Sequence, residues 1–275
     1  MNQLRIEEEL ASLLRLNNDV LQALKGKKVR DQRLVYSEGL TLKLFGHAVT
    51  ALHLTLNRTN LRLPGLDLDV DFVDWASIQV LARASTEVIL AFEYVFRDPT
   101  TEDEAEFRYL AWMLAGFVQR ESFPVQTPEG KKQVEIDIKK NAETRQRIQK
   151  TMAFQALTER QQKAVLKGRD WHPGKTLAAM CEDVFGTIWG RSLYGFMSSH
   201  AHSDALSAVQ ILQTGKRALD LARPSLLTIA IAVARMSEGF AEKWVAARKV
   251  YKAHPHRELN EAYLRFRDFD PERGY

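Results

Sequence analysis

Residues 71–97, DFVDWASIQVLARASTEVILAFEYVFR, restrict the fold of this chain more than any other stretch. They read as one helix of about seven turns. Phe72, Trp75, Ile78, Val80, Leu81, Val88, Ile89, Phe92, Val95 and Phe96 spread apolar side chains round every side of it. A helix apolar all round is a core helix, enclosed by other elements. Gln79, Arg83 and Glu87 nonetheless recur four residues apart, which places them on one narrow stripe. A charge on a buried stripe has to be paired and further hydrogen-bonded. That stripe is the first candidate site.

Long runs without punctuation surround this element, with only 14 Gly and 8 Pro in 275 residues. The expectation is an all-α protein, a single multi-helix domain of about eight to ten helices. Helices are expected over residues 2–24 and 31–58, the second with Leu34, Val35, Leu42, Phe45, Val49, Leu52 and Leu56 on its inner side. Residues 60–70 form a connector that supplies an N-cap and acidic first turn to the central helix. Its DLDVD run lacks the glycine and glutamate of a calcium loop. Further helices are expected over 101–122, 131–150, 158–167, 176–187 and 204–222. Of these, 131–150 has sparse apolar contacts at Val134, Ile136, Ile138 and Ile148. Pro224 opens a last long helix to about Tyr251. The domain is expected to span residues 1–253, with a basic helical insertion at 131–168 and a polar tail at 254–275.

Cys181 is the single cysteine, so no internal disulfide can form. The start, MNQLRIEEELASLL, is acidic and amphipathic, unlike a signal peptide. The most apolar later run, LLTIAIAVA, is far too short to span a bilayer. A cytoplasmic chain without membrane attachment is expected. Charge is uneven. Residues 66–106 hold two basic and eleven acidic residues, whereas Lys131 to Arg169 holds eleven basic and four acidic. Such a basic stretch suits a protein partner or RNA, or it packs against the acidic part of the same protein. A second copy of the chain is a further candidate partner.

The second candidate stretch, YGFMSSHAHSD, runs from Tyr194 to Asp204. On a helix, Tyr194, Ser198 and His202 share a face at the spacing of Arg83 and Glu87. A carboxylate on an imidazole would raise its basicity, and an arginine could hold an anion or phosphate. The candidate catalytic set is Arg83, Glu87, Tyr194, Ser198, His200 and His202; its structural alternative is a buried network fixing helix register. No cofactor and no metal are expected: the helical EXXH pattern is absent, and His200 and His202 diverge on a helix.

The two stretches, RASTE and YGFMSSHAHSD, resemble an uncharacterised bacterial all-helical family known only as a domain of unknown function. Its members carry Arg-x-x-x-Glu on an early core helix and Tyr-x-x-x-Ser-x-x-x-His farther along. The resemblance implies Arg83, Glu87, Tyr194, Ser198 and His202 as the matching positions. A wider similarity is to HEPN-type helical proteins, many of them RNA-cleaving toxins or defence nucleases, whose signature is an Arg, a polar residue and then a His a few residues on. Here Arg191 precedes His200 by nine positions and His202 by eleven, a departure from that spacing. Two functions follow as expectations: a non-catalytic binding or scaffold protein linked to defence or stress, or an HEPN-like metal-independent ribonuclease.

Overall fold

The computed structural model describes residues 6–28, 31–56, 59–61, 70–187, 189–201, 205–214 and 217–266. Among these residues the protein is all-α. Its helices are α1 (Ile6–Gln22), α2 (Leu34–Leu56), α3 (Trp75–Phe92), α4 (Glu102–Glu121), α5 (Pro128–Lys150) and α6 (Met152–Gln155). They continue as α7 (Glu159–Leu166), α8 (Leu177–Phe185), α9 (Gly190–Ala201), α10 (Ala205–Thr214), α11 (Ala218–Lys243), α12 (Val245–Ala253) and α13 (Arg257–Arg265). Two three-residue antiparallel strands, β1 (Thr59–Leu61) and β2 (Val70–Phe72), pair Thr59 with Phe72. Among the described residues no helix is long and apolar enough to cross a membrane. The chain divides into two compact units, residues 1–92 with 177–275, and residues 93–176.

The first unit is built on α11 and α3. In α11, residues from Ala222 to Ala241 are buried on nearly every face, and most are Ala, Gly, Ser, Ile or Val. Small side chains let α1, α2, α3, α12 and α13 all pack against it. Phe92 of α3 stacks on Phe240 at 5.7 Å between ring centroids. The buried Asn17 side chain of α1 donates to Ser237 Oγ of α11 at 3.0 Å. Pro224 lies inside α11 and does not open it. Proline in a helix interior costs about 3 kcal/mol, and the extensive burial downstream is what offsets it. The segment expected as a polar tail contains α13, whose buried Asn260 donates to Ala234 O at 3.2 Å and Tyr251 Oη at 2.9 Å. Tyr263 of the same helix donates to Glu9.

The central helix is shorter than the sequence suggests. Val70–Phe72 is strand, and α3 begins at Trp75 with the Asp74 carboxylate accepting from Ser77 N at 3.0 Å. Asp74 lies within the span expected as helix, so the cap does not come from residues 60–70, and the first turn of α3 holds no acid. A larger correction concerns α2. Its buried face is Ser37, Thr41, Leu44, Ala48, Ala51 and Thr55. Val35, Leu42, Val49 and Leu56, expected inside, are 48%, 59%, 42% and 61% exposed. The hydroxyls can be buried because they bond back to their own helix, Thr41 to Ser37 O at 2.9 Å and Thr55 to Ala51 O at 2.8 Å.

The second unit begins with a π-helical turn, Glu93–Arg97, closed by Asp98 N donating to Glu93 O at 2.8 Å. Threonines set the helix starts that follow. Thr101 caps α4, Thr127 caps α5 ahead of Pro128, and Thr158 makes a capping box with Gln161. The core is Phe107, Leu110, Ala111, Leu114, Ile148, Phe154 and Val165. Of the apolar contacts expected along α5, Ile136 and Ile138 are exposed. Asp137 and Asn141 take the buried places instead, Asp137 pairing with Arg120 at 2.5 Å and Asn141 donating to Glu121. Trp171 and Tyr94 meet edge to face at 5.6 Å, so the tryptophan beside the GRDWHPG turn lies on a core edge.

Candidate functional site

The site grows from the stripe on α3. Gln79 is buried and donates to Leu221 O of α11 at 3.2 Å. One turn on, Arg83 turns towards α9 instead. Its Nε donates to Ser198 Oγ at 3.0 Å, and its Nη2 donates to Tyr194 Oη. The guanidinium carbon stands 3.8 Å from the centroid of the Tyr194 ring. Nη1 lies 2.7 Å from Glu87 Oε1, an ion pair whose N–H direction falls short of a hydrogen bond. Ser198 completes the set by donating to Tyr194 O at 2.7 Å. The four-residue spacing in each helix is what brings these groups to one place. Two sequence stretches 111 to 115 residues apart therefore meet.

Burial across this set is graded. The Arg83 side chain is 11% exposed and that of Glu87 52%. Burial is the main force holding the Tyr194 hydroxyl above its ordinary pKa, and the charge of Arg83 opposes it. Beneath the site lies Cys181 of α8, whose thiol is pushed up to about 12 by burial, with Arg83 acting in the opposite sense. A Cβ built on Gly190, the first residue of α9, would stand 2.4 Å from Cys181 O. Glycine is required there because the start of α9 crosses the α8 backbone. The sequence marks Cys181 only as the single cysteine and gives Gly190 no role, because the crossing of α8 and α9 leaves no spacing signal.

The remaining candidates do not join this set. His200 is buried between Trp75 and Phe196, ring centroids 4.9 and 5.3 Å away, and its Nε2 meets Gln210 Oε1 at 2.8 Å. With an amide oxygen on Nε2 that nitrogen carries the proton. Nδ1 then faces the interior with no hydrogen-bond partner among the described residues. Arg191 is nine residues from His200, half a turn out of phase on α9. It is 70% exposed and paired with Glu182 at 2.6 Å. His202 lies outside the described residues. Among those described, no three His, Cys, Asp or Glu residues are grouped to hold a metal ion.

The profile of DUF5677, a family of unknown function, matches residues 52–217. The chain belongs to that family. The DUF5677 span contains α3, α8 and α9, and so all of Arg83, Glu87, Cys181, Tyr194 and Ser198, while α1, most of α2 and α11 lie outside it. No curated protein and no solved structure matches the chain.

Proposed function

We propose that this DUF5677 protein is a non-catalytic binding protein, and that the Arg83 cluster is a latch joining α3 to α9. One observation carries this reading: Nε and Nη2 of Arg83 are hydrogen-bonded to Ser198 and Tyr194, Nη1 is ion-paired with Glu87, and one face of the guanidinium lies on the Tyr194 ring. An arginine that holds a phosphate has to offer a free fork of N–H groups. Here the Nε–Nη2 edge is taken by Ser198 and Tyr194, and Nη1, which makes no hydrogen bond, is buried beside Glu87. His200 adds no accessible base, since it is buried beside Trp75 with its Nε2 proton donated to Gln210 Oε1.

The basic stretch from Lys131 to Arg169 is the surface for a partner. Part of its charge is spent within the second unit. Arg147 pairs with Glu106, and Asp103 caps α6 by accepting from Met152 N at 3.0 Å and Ala153 N at 2.8 Å. Lys131, Lys132, Lys139 and Lys140 remain exposed, on the same helix as the exposed Ile136 and Ile138. Lysines round apolar anchors suit an acidic protein surface better than a phosphate backbone.

The test is a comparison of the full chain with Arg83→Ala on labelled single-stranded RNA. No cleavage is expected from either, and Arg83→Ala should lose about 2–3 kcal/mol of unfolding free energy by stripping charge-assisted hydrogen bonds. Cleavage by the wild type that disappears in Arg83→Ala or His202→Ala, with the circular dichroism spectrum unchanged, would replace this reading with an HEPN-like ribonuclease.

A further inference from the structure

Arg15 and Asp19 stand four residues apart on α1, a spacing at which opposite charges on one helix can pair. No ion pair joins them. Asp19 instead turns Oδ2 to His254 Nε2, 3.3 Å away, where α12 hands over to α13. The backbone fixes His254 for that contact. Its Nδ1 accepts from His256 N at 3.2 Å, so Nε2 carries the proton and donates it to the carboxylate. Arg15 is exposed and makes no hydrogen bond or ion pair among the described residues. Its fork of N–H groups, unlike that of Arg83, is open.

Both charges line one groove of about 650 Å³, within the size range of small-molecule pockets. Leu14, Phe45 and Leu52 form its apolar side, and Asn18 and the His256 ring stand with the charges. We propose that this groove binds an apolar dipeptide as a zwitterion, its carboxylate on Arg15, its ammonium on Asp19 and its side chains on Leu14, Phe45 and Leu52. A lone carboxylate would face Asp19 and a lone amine would face Arg15, whereas a zwitterion complements both. The span fits two residues. Four residues of helix rise about 6 Å, and two residues of extended peptide reach at most about 7 Å. A single amino acid carries both charges on one Cα. The internal peptide group of a dipeptide needs a donor and an acceptor, which the Asn18 amide and the His256 ring supply; the ring nitrogens bond to nothing else among the described residues. Of the lining, Leu52 alone falls within the DUF5677 span, so this site belongs to the flanking helices and stands apart from the Arg83 latch.

Exposure sets the strength of the complex. The Asp19 side chain is 53% exposed and Arg15 is exposed as well, so water screens each charged contact. Each terminus of the peptide is then worth about threefold to tenfold in affinity. A dissociation constant of about 0.1–1 mM is the consequence.

Titration of the full chain with leucyl-phenylalanine, followed by amide chemical shifts, reads this directly. The wild type should bind it at least threefold more tightly than the N-acetylated dipeptide, which lacks the ammonium. The same margin should hold over the dipeptide amide, which lacks the carboxylate. Arg15→Ala should lose the preference over the amide and keep the preference over the N-acetylated form. Asp19→Asn should do the reverse, while leaving an oxygen for His254 to donate to. Neither change should move the melting temperature, since both side chains are exposed. If Asp19→Asn melts earlier, the two capped ligands on the wild type and on Arg15→Ala decide the point without it. Three results overturn the proposal: no binding at about 10 mM, tenfold above the weakest Kd expected; equal binding of the capped forms; or a preference for the free carboxylate that survives Arg15→Ala. Phenylalanine binding as tightly as the dipeptide overturns the two-residue span.

Discussion

Cys181 shows how far a single side chain here is governed by its surroundings. Burial raises its thiol to about 12 from an ordinary 9.0, with Glu87 and Glu182 adding to the effect and Arg83 opposing it. The folded chain therefore keeps its proton at pH values where the unfolded chain has lost it. The sign follows from linkage: with fewer protons bound in the unfolded state, stability falls as pH rises. The contribution is whole below about pH 9 and declines between there and about 12. Urea unfolding of wild type and Cys181→Ala at pH 7.5, 9 and 10.5 should show a downward slope in the wild type steeper by up to about 1 kcal/mol per pH unit. The buried tyrosines Tyr94 and Tyr251, also raised to about 12, slope both proteins alike and cancel in the difference. Parallel curves would mean the thiol is solvated in the folded state. At this scale the sequence was a fair guide to which polar residues meet. Arg83, Glu87, Tyr194 and Ser198 were legible because four-residue spacing on two helices is a geometric statement. The setting of His200 was not, because Trp75 and Gln210 come from elements whose crossing no spacing rule specifies.

At the scale of elements, α2 is the instructive case. Its apolar residues outnumber the positions the core can take, and periodicity alone chose the heavier line. The core chose the lighter one, since Ser37, Thr41, Ala48 and Ala51 let α2 come close to α3 and α11. Leu44 is the one large side chain on that inner line, 1% exposed, whereas Leu42 is 59% exposed. Leu44→Ala should cost about 2–5 kcal/mol by leaving a cavity. Leu42→Ala should stay within about 0.5 kcal/mol, as surface substitutions do. Guanidinium unfolding of the two variants side by side decides it, and comparable losses would return Leu42 to the core. The same physics explains α5, where Asp137 and Asn141 displaced Ile136 and Ile138 from the packed face. A buried carboxylate that finds Arg120 and Gln133 is tolerated, and the sequence does not announce those partners.

For the whole molecule, the order of elements matters more than their number. The first unit is closed by pieces from the two ends of the chain. Asn17 reaches Ser237, Glu9 receives Tyr263, and Asp19 meets His254 Nε2 at 3.3 Å. Between them runs α11, buried from Ala222 to Ala241 and packed on α3. The DUF5677 span, residues 52–217, has α3 but not α11. A fragment of residues 52–217 would thus present Ile78, Ile89 and Phe92, each at most 1% exposed in the whole chain, without their main cover. Burying a side chain of that size contributes about 1.5–3 kcal/mol, and domains have only about 5–15 kcal/mol to lose. The fragment should keep much of its helical circular dichroism, bind a hydrophobic dye and lose its cooperative melt, as loosely packed helical states do. Adding back residues 1–51 and 218–275 in the full chain restores the sharp transition. A fragment that melts as cooperatively as the full chain would show that α3 finds its packing inside the family span and that α11 is an addition to it.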